Sequence, residues 1–64
     1  MHRVKIKCKF KEVPNDTRFY VYLNPNEPKD CHTLTCYKEA DGSVFNREFN
    51  GLKCEPEEPV FYYQ

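Results

Sequence analysis

Four cysteines, Cys8, Cys31, Cys36 and Cys54, stand in a chain of 64 residues that has no tryptophan and two glycines. A chain of this length buries too little apolar surface to be comfortably stable without a cross-link. An even number of cysteines offers two disulfides, each adding about 2–4 kcal/mol by restricting the unfolded chain. We therefore expect one small disulfide-stapled domain whose core relies on its five phenylalanines and five tyrosines.

The charges are balanced in number but not in position. The chain has ten basic and ten acidic side chains. Residues 1–30 carry seven basic and four acidic side chains, whereas residues 31–64 carry three and six. This asymmetry favours pairing between the two halves over a basic binding face. The neutral total argues against a nucleic-acid partner, and no apolar run approaches the ~20 residues of a membrane span.

Alternation of apolar and polar residues predicts short strands and no amphipathic helix. In the first segment the apolar residues Val4, Ile6, Cys8 and Phe10 alternate with Lys5, Lys7, Lys9 and Lys11. This pattern is typical of an edge strand that resists aggregation. A turn at residues 13–16 and a strand at 18–23 suggest a hairpin with the first strand. A third strand is predicted at 34–39, returning through an Asp-Gly turn over 43–49. The fold class is all-β, with antiparallel strands and hairpins.

The second strand has two different faces. Phe19, Val21 and Leu23 share the face expected to be buried. Arg18, Tyr20 and Tyr22 share the other, and tyrosine and arginine are favoured at binding hot spots. We therefore count those three among the candidate partner-binding residues, although they could equally cover the second side of a small core.

Two segments outside the strands are further candidates for partner contact. Residues 24–30 (NPNEPKD) form an exposed, proline-stiffened loop. Its candidate contact residues are Asn24, Asn26, Glu27 and Lys29. Residues 55–59 form an acidic linker to the aromatic tail, whose candidates are Phe61, Tyr62 and Tyr63. We divide the chain into a β domain, 1–54, and a segment, 55–64, that docks on it as a last strand and brings its glutamates to the lysine row.

The cysteine spacing favours disulfides over zinc. Only Cys31 and Cys36 are close in sequence, whereas zinc sites usually have two close pairs. We therefore expect no metal and no cofactor. Four cysteines allow three connectivities, and spacing alone does not choose among them. Asn15-Asp16-Thr17 is a glycosylation sequon in a predicted turn, and it is weak support for secretion.

The stretch CHTLTC at residues 31–36, followed by ADGSV at 40–44, resembles the centre of a von Willebrand factor type C domain. Such domains have a further cysteine where Leu34 stands here. Carried onto the remaining positions, the resemblance implies the bridges Cys8–Cys36 and Cys31–Cys54. Among cysteine-poor relatives, the chain is similar to small secreted tick salivary proteins, including complement inhibitors of the CirpT type.

These features predict a secreted, extracellular, non-enzymatic protein that is monomeric when free. No nucleophile, base and orienting group can be brought together from this sequence. The resemblance implies an inhibitor that blocks a host defence protein, with a complement component as the first expectation. The alternatives are a cytosolic or viral mini-protein with zinc-bound or reduced thiols, and a protease inhibitor that uses the 24–30 loop.

Overall fold

The computed structural model describes residues 3–24, 26–29 and 31–64. These residues form one antiparallel sheet of five strands, so the all-β prediction is confirmed. The strands are β1 (Lys5–Lys9), β2 (Thr17–Tyr22), β3 (Thr33–Lys38), β4 (Val44–Phe45) and β5 (Pro59–Tyr63). A short 3₁₀ helix, Phe10–Glu12, follows β1.

The order of the strands across the sheet is β1-β5-β2-β3-β4. The last strand therefore lies between the first two, pairing Lys7 with Phe61 on one side and Tyr20 with Phe61 on the other. The predicted hairpin of the first two strands is wrong, because β5 takes the place beside β1 that the hairpin would have given to β2. Docking as a last strand is thus the arrangement of the aromatic tail, and β1 is an edge strand.

The core lies on one face of the sheet, which we call the core face. Its buried side chains are Val13, Phe19, Val21, Cys36 and Val60. Successive side chains of a strand point to opposite faces, so the alternate positions of β2 and β5 supply this layer. The segments between strands cover it: the 3₁₀ helix contributes Phe10, whose ring centroid lies 5.4 Å from that of Phe19, and the chain before β5 contributes Leu52 and Cys54.

Backbone hydrogen bonds fasten the acidic segment to the end of β1. The N–H of Phe10 donates to Glu58 O at 2.9 Å, and that of Lys11 donates to Pro56 O at 3.1 Å. The predicted Asp-Gly turn joins β3 to β4, with Gly42 at a φ of 88° that favours glycine. Beyond it the chain departs from expectation, because β4 has only two residues instead of the predicted seven at 43–49.

Leu23 is also placed differently from the prediction. It lies just after β2, with 57% of its surface exposed, instead of in the core beside Val21. Its N–H donates to His32 O at 3.0 Å, where the chain enters β3. The alternation that buries Phe19 and Val21 therefore ends with β2, one residue earlier than the apolar pattern.

Candidate functional site

Four aromatic rings from β2 and β5 gather on the face opposite the core, which we call the aromatic face. The rings belong to Tyr20, Tyr22, Phe61 and Tyr63. Tyr20 stacks on Phe61 with centroids 5.0 Å apart, and Tyr63 meets both rings edge-on at 5.8 and 5.9 Å. Stacked and edge-to-face pairs at these separations stabilise by about 0.5–1.5 kcal/mol beyond area burial. These contacts therefore stabilise the cluster.

Two cations lie over these rings. Lys5 Nζ is 4.2 Å from the centroid of Phe61, and Arg3 Cζ is 4.8 Å from that of Tyr63. Both distances are within the ~6 Å range of a cation–π contact. Desolvation, and then the neighbouring charge of Lys7, lower the pKa of Lys5. Phe61 is left 2% exposed, whereas Tyr20 and Tyr63 are half-buried and keep part of their surface in water.

The structure places most of the predicted contact residues of β2 and β5 on the aromatic face and one of them on the core face. Arg18 shares the aromatic face with Tyr20 and Tyr22, since all three alternate with buried Phe19 and Val21. Tyr62 instead packs against the core cluster, so its prediction as a partner-contact residue is not supported by its position. The reason is that successive side chains of a strand alternate, so Tyr62 lies on the other face of the sheet from Phe61 and Tyr63.

Among the described residues of the predicted 24–30 loop, Pro28 lies beside one end of the aromatic face. The candidates Asn24, Asn26, Glu27 and Lys29 are exposed. The Asn24 side chain accepts the N–H of Asn26 at 3.1 Å, which gives this part of the loop a local turn. Pro28 lines a cavity of about 280 Å³ together with Tyr22. Pro25 and Asp30, also within the predicted loop, lie outside the described residues.

The row of lysines is not a row of equivalent charges. Lys9 and Lys11 both bridge to Glu57, at 2.7 and 2.6 Å, as expected for a tail that docks on β1. Hydrogen bonds from Lys11 and then Lys9 lower the pKa of Glu57. Lys5 lies against Phe61, and Lys7 is exposed between these contacts. The charge of this row that is open to a partner is therefore that of Lys7, which lies on the aromatic face.

The predicted disulfides are absent from the structure, in which the four cysteines are free thiols. Cys8 and Cys36 lie on β1 and β3, with β5 and β2 between them. Three inter-strand spacings of about 4.8 Å separate their backbones by about 14 Å, and a disulfide needs Cα atoms within about 7 Å. Cys31 is exposed, whereas Cys54 packs against the core.

Burial governs the chemistry of the inner thiols. Desolvation, and then a hydrogen bond to Glu58, raise the pKa of Cys54 to about 12. Desolvation also raises the pKa values of Cys36 and Cys8. These thiols are protonated at neutral pH, and a protonated thiol is a poor nucleophile. They therefore act as small apolar side chains of the core.

Two buried polar residues hydrogen-bond the backbone of the segments around the sheet, and sequence reasoning missed both. Lys38 donates to Val13 O at 2.8 Å and to Phe10 O at 3.3 Å, and its Nζ lies 4.6 Å from the Phe10 ring centroid. Asn46 donates to Thr35 O at 2.9 Å, and its Oδ1 accepts two backbone N–H groups beyond β4. The only sequence signal for Lys38 was its place among the core-facing positions of β3.

The sequon residue Asn15 is exposed in the turn before β2. Its side-chain amide donates to Ala40 O at 3.0 Å, a bond that a glycan on this nitrogen would have to replace. Among the described residues, no group of three or more His, Cys, Asp or Glu side chains is arranged to hold a metal ion. Within the same residues, no helix is long and apolar enough to cross a membrane.

Comparison with known proteins gives no relative: no family model, no curated protein and no solved structure matches the chain.

Proposed function

We propose that this protein is a non-enzymatic binding module that uses the aromatic face to hold an acidic surface of a partner protein. One observation carries the proposal: four aromatic rings form a packed cluster on the sheet face opposite the core, with cations at its surface. Tyrosine and arginine supply large contact areas with polar ends and little loss of conformational entropy. The half-buried Tyr20 and Tyr63 are the contact points of this cluster.

The charge of the sheet selects the partner. None of the five strands contains an aspartate or a glutamate. The aromatic face carries Lys7 and Arg18 as exposed cations at its sides, and Arg3 and Lys5 over its rings. An acidic partner surface would be steered to this face and paired there, and charge complementarity contributes mainly to the association rate and to specificity.

A secreted inhibitor of a host defence protein is the specific role that we propose for this module. The resemblance to tick salivary complement inhibitors directs the first test to complement components. A face of this kind would inhibit by covering an exosite, since the residues that carry it include no nucleophile–base pair. Rings that already contact one another before binding lower the ordering cost of binding.

The test is capture from plasma by the immobilised protein, identification of the captured protein, and titration with that protein in purified form. Lys7→Glu and Arg18→Glu reverse exposed charges on the aromatic face. Lys53→Glu reverses an exposed charge outside it and is the matched control, and Lys29→Glu tests the loop. We expect each aromatic-face variant to weaken binding at least tenfold, and Lys53→Glu and Lys29→Glu to change it less than twofold.

Three results would overturn this assignment. One is a partner whose affinity is unchanged by both aromatic-face variants. Another is binding that is lost equally with Lys29→Glu, which would move the site to the loop and favour a loop-based protease inhibitor. The third is tight binding of a fluorescent oligo-dT by the wild type that Arg18→Glu abolishes, because stacking of bases on tyrosines would then explain the same surface.

A further inference from the structure

A second surface lies along the outer edge of β3. Only Tyr37 and Lys38 of this strand pair with β4, so the edge of the strand at Thr33–Thr35 faces a groove. The groove has a volume of about 800 Å³. Its walls include Leu23, Thr33, Thr35, Phe45, Arg18 and Arg47. It is separate from the ring cluster, although Arg18 borders both.

The backbone of β3 is oriented to pair with another strand in this groove. His32 O accepts from Leu23 on the β2 side, and backbone groups of an antiparallel strand alternate in direction. Thr33 and Thr35 therefore point their N–H and C=O groups outward. Asn46 already donates to Thr35 O at 2.9 Å, in the direction that this alternation requires. The N–H and C=O of Thr33 and the N–H of Thr35 face the groove.

The two edges of the sheet are protected differently. The β1 edge carries a lysine at every second position, which discourages strand addition. Between Thr33 and Cys36 the β3 edge carries no charged side chain. Leu23 and Phe45, which flank it, are 57% and 56% exposed. An edge with outward backbone groups and apolar neighbours is the form that strand-adding ligands use.

A second copy of the chain does not fit this edge. If β3 of two copies paired antiparallel with Thr33 opposite Thr35, each Tyr37 would lie opposite Cys31 of the other copy. The strand position beside Tyr37 is already filled by β4 of the same copy. That β4 would collide with the chain at Cys31 and His32. The occupant must therefore be a strand that has no other strand paired along the side that would face β3.

We propose that the groove binds an extended segment of a partner protein, which adds to β3 as a short strand in line with β4. Its apolar side chains would contact Leu23 and Phe45. The groove walls carry Arg18 and Arg47 against a single acidic residue, Glu48, so the segment is expected to carry an acidic residue. Backbone pairing would give the affinity, and alternate side chains would give the selectivity.

The test is selection from a phage library of random eight-residue segments on the immobilised full chain. We expect enrichment of sequences in which apolar residues alternate with others and include an acidic residue. Thr33→Pro removes an outward N–H at the first position of β3, where proline is tolerated, and should weaken a selected peptide about tenfold. Thr33→Val keeps the N–H and should bind as the wild type does.

A second measurement keeps the proposal falsifiable if Thr33→Pro is unfolded by circular dichroism. The selected peptide is resynthesised with alternate backbone nitrogens methylated, in both phases, and one phase should lose binding while the other retains it. Failure of any sequence to be enriched, or equal binding of both methylated peptides, would overturn the proposal. Lys7→Glu should bind the peptide normally, so failure here is distinguishable from failure of the aromatic-face assignment.

Discussion

Replacing Phe61 with alanine tests the most consequential feature of the fold, the insertion of the last strand between the first two. Phe61 is 2% exposed and contacts Tyr20, Tyr22, Tyr63 and the Lys5 ammonium. Truncating a buried phenylalanine to alanine costs about 3–5 kcal/mol. At about 0.05–0.15 kcal/mol per residue, a chain of this length has roughly 3–10 kcal/mol of total stability. Phe61→Ala should therefore lose from about a third to all of the stability of the wild type at 25 °C.

Phe61→Leu gives a graded version of the same test. Leucine keeps most of the apolar bulk but removes the ring, and with it the aromatic contacts and the cation–π contact. We expect a loss of about 1–2 kcal/mol. With a urea m-value of about 1 kcal/mol per molar for a small domain, the unfolding midpoint should fall by about 1–2 M.

The assay is urea unfolding followed by far-ultraviolet circular dichroism, with Phe49→Ala as the matched control. Phe49 is 50% exposed, so its truncation should change stability by no more than about 0.5 kcal/mol. If Phe61→Ala cost no more than Phe49→Ala, the tail would be an appendage and the placement of β5 beside β2 would be refuted.

Two further predictions concern the buried polar and sulfur groups. Lys38→Met removes the Lys38 donor from Val13 O and leaves Phe10 O with the Val13 N–H alone, so urea unfolding should show a loss of about 1–3 kcal/mol; unchanged stability would contradict it. Iodoacetamide at pH 8, followed by peptide mass spectrometry, should label the exposed Cys31 before Cys54; equal rates would contradict the burial of Cys54. Since folding raises the pKa of Cys54 from 9.0 to about 12, its contribution to stability should be complete below pH 9 and lost as the pH rises towards 12.

The thiol prediction also separates two views of the cysteines. In the structure, Cys8, Cys36 and Cys54 pack as apolar groups around the core, and Cys31 stands apart. Bridges that joined Cys8 to Cys36 would require β1 to leave its place beside β5. Intact mass before and after reduction measures the state directly: a gain of four hydrogens on reduction would mean two disulfides, and a Cys8–Cys36 bridge among them would require a different sheet.

Local patterns predicted much of the secondary structure and of the aromatic face. The alternation of lysine with apolar residues identified β1 as an edge strand, and the Asp-Gly turn correctly joined β3 to β4. The same period of two put Arg18, Tyr20 and Tyr22 on one face of β2. These features follow from the neighbours of each residue in the chain, because side-chain direction in a strand is fixed by alternation.

Strand pairing was decided only in the tertiary structure. Whether β1 pairs with β2 or with β5 depends on which partner buries more surface, and β5 offers Val60 and Phe61, which are 1% and 2% exposed. That choice also brought Phe61 and Tyr63 to Tyr20, sent Tyr62 to the core, and placed two strands between Cys8 and Cys36. The sequence by itself determined where most of the strands lie and how each strand's side chains alternate, but not the short β4 or the end of β2 before Leu23. Contacts between residues about 40 to 60 positions apart decided which faces meet, because no local pattern encodes the partner of a strand.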